Sequence, residues 1–144
     1  MPEALDSTPS DQLCSLPRHL TSATAARIVL RGFLSDLKDG EHYAEAGELI
    51  VTELVATAVL TPRTPEHLLI DVLFEHSAPS GLRIEVHDTG LPGRGRSALG
   101  AEGSPGFRLV RELSSSCGHE LTEGELVTNR FWACVAPPRR PSAP

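Results

Sequence analysis

Glu53 stands inside an otherwise apolar run, Glu48-Leu-Ile-Val-Thr-Glu53-Leu-Val-Ala-Thr57-Ala-Val59. A carboxylate in the apolar stripe of a helix is costly to bury unless it is paired or does chemistry. Thr57 follows four residues later, one turn away on the same helix face. Two oxygens placed in this way can hold a hard divalent cation such as Mg²⁺, directly or through its waters. The same spacing also suits a glutamate at the edge of the stripe, salt-bridged or solvated.

Further along, Val86-His-Asp88-Thr-Gly90 ends an apolar strand in a carboxylate. Such a group can accept a hydrogen bond from an exocyclic amino group such as that of adenine. Gly90 permits positive φ and lets the backbone approach a flat ring. Asp and Gly are equally at home in a plain strand-ending turn. A third piece runs from Gly93-Arg-Gly95 and Arg96 to Gly103-Ser-Pro-Gly106, and leads into a helix. Free N–H groups and the helix dipole favour an anion such as phosphate there, and Arg94 and Arg96 can add charge. The alternative is a solvated loop whose arginines touch nothing. The six histidines show no ligand spacing, and His87 falls on the opposite strand face from Asp88. Cys14, Cys117 and Cys134 form no C-x-x-C pair, so neither a disulfide framework nor a zinc site is expected.

These residues need elements to hold them. Ile28, Leu30, Phe33, Leu34 and Leu37 recur at helical spacing, from an N-cap at Thr21 or Ser22 to a glycine stop at Asp39-Gly40. A second helix is expected over about 41–60, with Leu49, Ile50, Leu54, Val55, Ala58 and Val59 as its apolar stripe. Thr61-Pro62 and Thr64-Pro65 end it. Strands are expected over 67–74, with Asp71 outward, and over 82–88, joined by a turn at Ala78-Pro-Ser-Gly81. After a glycine-rich loop at 89–105 come a helix over about 106–116 and strands near 117–122 and 126–136. Consecutive strands with short turns imply antiparallel pairing. The expected fold class is α+β, a two-layer sandwich of a mostly antiparallel sheet with helices over one face.

At 144 residues the chain suits one domain, expected over 13–136, with disordered tails at 1–12 and 137–144. The net charge of −6 argues against direct nucleic-acid binding. The N-terminus lacks a signal-peptide pattern, and no apolar run approaches the roughly 20 residues a membrane span needs. With unpaired cysteines, that makes a cytoplasmic location the expectation.

In order and spacing, the Glu53, Asp88-Thr-Gly90 and Gly103–Gly106 pieces resemble the GHKL ATPase superfamily (Bergerat fold). The likeness is strongest to its stand-alone anti-sigma-factor serine/threonine kinases, over Val51–Val59, Gly106–Val110 and Arg130–Ala133. The resemblance implies that ATP and Mg²⁺ are the cofactors. It implies that Glu53 is the general base, and that Asp88 and Gly90 read adenine. It further implies that Gly103 and Gly106 belong to the phosphate-binding lid, with Thr57 at the metal position; Gly93, in the glycine-rich stretch, is a further nucleotide-binding candidate. The implied partners are a sigma factor, an anti-sigma-factor antagonist protein or both, with a second copy of the chain as a further option. Three positions depart from the family pattern. Thr57 replaces the metal-binding asparagine, Pro105 replaces a central lid glycine, and Arg130 falls where a threonine stands near the adenine. The departures imply a regulator with impaired phosphotransfer. A fully active kinase is the alternative, and a detached histidine-kinase ATP domain is a more distant one.

Overall fold

The computed structural model describes residues 9–60, 69–90 and 105–139. Its elements are β1 (Ser10–Pro17), α1 (Ser22–Ser35), α2 (Gly40–Leu60), β2 (Leu69–Ser77), β3 (Gly81–Gly90), α3 (Pro105–Leu113), β4 (Ser116–Glu123) and β5 (Val127–Val135). The strands form one sheet in the order β1-β2-β3-β5-β4, and every neighbouring pair is antiparallel. This is the α+β sandwich expected from the sequence.

Strand alternation sets the two faces. Leu82, Ile84 and Val86 of β3 and Phe131, Ala133 and Val135 of β5 are buried against the helices. On α2, Tyr43, Ile50, Val51, Leu54, Val55 and Ala58 are buried at three- and four-residue steps. That wide apolar surface lets α2 pack against α1, α3, β3 and β5 at once. It is the central helix of the layer, and it carries Glu53 and Thr57.

The opposite sheet face is polar. Glu85 is only 5% exposed there, hydrogen-bonded by Arg83 and by His87 Nε2 at 2.8 Å, with Arg130 Nη1 at 3.8 Å. Burial pushes its carboxyl up, but the hydrogen bonds from His87 and Arg83 and the two arginine charges outweigh that. The net effect holds Glu85 below the ordinary carboxylate range. Arg83 also lies over the Trp132 ring, 4.5 Å from its centroid.

Among the boundaries that differ from the sequence expectation, three have a plain physical reason. Ser10–Gln12 belong to β1, although a tail was expected through residue 12. This edge strand turns only Cys14 and Leu16 toward the core, so its apolar alternation is short. The first helix ends at Ser35, capped by the Asp36 N–H, not at Asp39-Gly40. Gly40 instead opens α2, where a side chain would overlap the Leu34 carbonyl. The glycine serves close approach of two helices, which mimics a stop signal in the sequence. The third helix ends at Leu113, three residues early, because Ser115 N–H already donates to Cys134 O at 2.8 Å and joins the sheet. Among the described residues, no helix is long and apolar enough to cross a membrane.

Candidate functional site

Glu53 lies on α2, half-buried, on the side that meets α3. Its Oε2 fills the space that a Cβ on Gly106 would occupy. Gly106 is in the first turn of α3, where backbone N–H groups lack intrahelical partners and the dipole favours negative charge. Glycine at 106 is what allows the carboxylate to come so close. Pro105 is the first residue of α3, a position where its missing N–H costs nothing.

Thr57 sits one turn beyond Glu53, also half-buried. Its Oγ1 donates a hydrogen bond to the Glu53 backbone carbonyl at 2.8 Å. The hydroxyl is thus turned back onto its own helix, a common arrangement for a mid-helix threonine.

Asp88 is 1% exposed near the end of β3, on the helix-facing side. Arg18, the residue after β1, places Nε 3.3 Å from Oδ1 and 3.4 Å from Oδ2. The same guanidinium donates through Nη2 to Ala58 O at 3.2 Å, in the last turn of α2. One arginine therefore ties Asp88 to the helix that bears Glu53 and Thr57. The structure brings Glu53, Thr57, Asp88 and Gly106 to one end of the helix layer. Gly90 continues β3 opposite Val127. Among the described residues the one glycine with positive φ is Gly81, at 87°, so the freedom anticipated at Gly90 is used elsewhere. Gly93 and Gly103 lie outside the described residues.

Two further residues belong to this corner. Asn129 is the cross-strand partner of Asp88 and is fully buried on the same face. His119 Nε2 lies 2.7 Å from Asn129 Oδ1, while the His119 ring stacks on Phe131 with centroids 4.6 Å apart. The Asn129 Nδ2 is buried and has no hydrogen-bond partner among the described residues. A carboxylate acceptor beside an amide donor complements a heterocycle edge that pairs an amino group with a ring nitrogen. Arg130, assigned from the sequence to the threonine position, instead faces the opposite side, against Glu85 and Glu120. Strand alternation from Phe131 would have selected Asn129. Nothing in the sequence pointed to Arg18, which meets its partner across 70 residues.

Neither a protein-family model nor a curated protein matches the sequence. Among solved structures, the chain is similar to the crystal structure of the RsbU and RsbW domains of Rv1364c from Mycobacterium tuberculosis. The TM-score is 0.62 at 17% identity, over 93% of this chain and 35% of that one. The chain thus spans about a third of the length of that solved chain. The likeness is one of fold, a five-stranded antiparallel sheet covered by helices.

Proposed function

We propose that this chain is a regulatory domain of the anti-sigma-factor-kinase type. It recognises an adenine nucleotide at the Asp88 corner and acts mainly through protein contacts in sigma-factor partner switching. The observation that carries this reading is the buried pair Asp88 and Asn129 at one end of the sheet, with an amide donor that no described residue accepts from. Asp88 suits the adenine amino group, and Asn129 Nδ2 suits the adjacent ring nitrogen. In this reading Glu53 is the general base, one helix turn before the metal position Thr57.

The metal side supports impaired rather than full phosphotransfer. Thr57 is shorter than the asparagine it replaces, and its hydroxyl hydrogen is committed to the Glu53 carbonyl. Its β-branch fixes it against the helix. When bound, Mg²⁺ would be held by Glu53 and Thr57 oxygens and would neutralise phosphate charge. The partners in this reading are a sigma factor, an antagonist of an anti-sigma factor, or both.

Titration calorimetry with ATP, with and without Mg²⁺, tests the reading. Micromolar binding of ATP that changes little on adding Mg²⁺ is the expected result. Binding that depends strongly on Mg²⁺, with phosphate transfer to a partner serine, would establish the active kinase instead. No binding of ATP in either condition would leave a pure protein-binding scaffold.

A further inference from the structure

We propose that Arg18 is an internal ligand of Asp88, seated where the base of a nucleotide would be recognised, so that a base binds only by displacing it. The inference rests on Asp88 being the base-reading residue. Three observations carry it. The Arg18 Nε lies within 3.4 Å of both Asp88 oxygens, on the same acceptors an exocyclic amino group would use. Asp88 is 1% exposed and Arg18 16%, so the carboxylate is buried and the arginine is the more exposed member of the pair. The Arg18 Nη2 also holds Ala58 O, one of the last four carbonyls of α2, which have no partner inside their helix.

Arg18 therefore satisfies two needs at once. A buried carboxylate needs a counter-charge, and a helix C-terminus favours a cation. The backbone around it is fixed: Ser22 Oγ donates to Pro17 O at 2.5 Å, and His19 N–H donates to the same carbonyl at 2.8 Å. Release then has to come from the long side chain, whose rotamers can swing the head into water without moving β1 or α1.

This competition lowers the apparent affinity for a base-containing ligand by the fraction of molecules in which Arg18 holds the carboxylate. A ligand that has phosphates but no base does not meet the competition. Because the guanidinium bridges to Ala58, next to Thr57, a base that enters also releases the last turn of α2. Occupancy of the base corner is thereby reported to the helix that carries Glu53.

The test compares the intact wild-type chain with Arg18→Met, which keeps the apolar stem and removes the guanidinium. ATP and inorganic tripolyphosphate are titrated into each by calorimetry. The expected result is ATP binding about tenfold tighter in the variant, with tripolyphosphate affinity unchanged. ATP affinity that is equal or weaker in the variant, with the wild type binding normally, overturns the latch and leaves the nucleotide reading intact. Absence of ATP binding in both chains removes that reading and the latch with it. A second measurement uses the wild type alone, so the variant's stability does not enter. The Arg18 Nε–H resonance is expected to shift on saturation with ATP and to stay in place with tripolyphosphate. A resonance unmoved by saturating ATP overturns the proposal.

Discussion

In the proposed reading Thr57 separates a metal-using site from one that only binds, because its hydroxyl hydrogen goes to the Glu53 carbonyl at 2.8 Å and its side chain is shorter than that of asparagine. Thr57→Asn removes the back-bond and restores a side-chain carbonyl for the cation. Calorimetry is expected to find ATP binding that becomes Mg²⁺-dependent and tighter. An unchanged isotherm would count against placing Thr57 at a metal position. Asp88→Asn replaces the acceptor that the amino group needs and is expected to abolish ATP binding in the same assay, whereas Glu53→Ala is expected to leave ATP affinity within a few-fold. Retained affinity in Asp88→Asn would take that residue out of the site. Glu53, Thr57 and Asp88 stand out as candidates in the sequence because each breaks or ends an apolar pattern. Asn129 does not, because an assignment one residue off puts a side chain on the wrong sheet face. Arg18 was invisible for a different reason, since its partner is brought to it only by pairing β1 with β2 and β2 with β3.

The helices and inner strands were legible as elements because their apolar residues recur at one period, whereas β1 was not, because an edge strand with two core-facing side chains has almost no period to read. Glycines were the least reliable signs, since one residue type serves several purposes. Gly81 has φ 87°, and a Cβ there would overlap the Val135 carbonyl. Gly32 sits in α1, and a methyl group added there would meet nothing within 4 Å among the described residues. Urea denaturation is expected to show Gly81→Ala losing more than about 2 kcal/mol. Gly32→Ala is expected to gain roughly 0.5–1 kcal/mol, the usual helix-interior difference. The polar sheet face makes a separate prediction through pH. Glu85 is held below the ordinary carboxylate range in the fold, so the unfolded chain takes up that proton more readily than the native state. Its stabilising contribution is complete above the unfolded value of about 4.3 and is lost as pH falls through the lower folded value. Glu85→Gln is expected to flatten the fall of stability on acidification below about pH 4. An equally steep fall, measured by denaturant melts across pH, would show that the Arg83–His87–Arg130 cluster does not stabilise the ionised carboxylate.

At the scale of the whole molecule, the candidate residues Glu53 and Thr57, the Arg18 link to Asp88 and the first turn of α3 all meet on α2, which packs against both other helices and two central strands. A ligand seated there touches the element on which most of the core depends, so binding must appear as global stability. A ligand at a hundred times its Kd adds about 2.7 kcal/mol to the native state. For a domain of this size that is a rise in Tm on the order of 10 °C. Thermal melts with ATP alone, with ATP and Mg²⁺, and with Mg²⁺ alone therefore distinguish the functional readings without a known protein partner. A rise with ATP that Mg²⁺ barely increases is expected, because in the proposed reading Asp88 and Asn129 meet the base while Thr57 is turned inward. A rise that needs both ATP and Mg²⁺ would mean that Glu53 and Thr57 hold a working cation, and the full kinase reading would take its place. No rise in any condition, with the Glu53 and Asp88 variants melting below the wild type, would mean that these carboxylates serve the fold alone. The chain would then act through its surfaces.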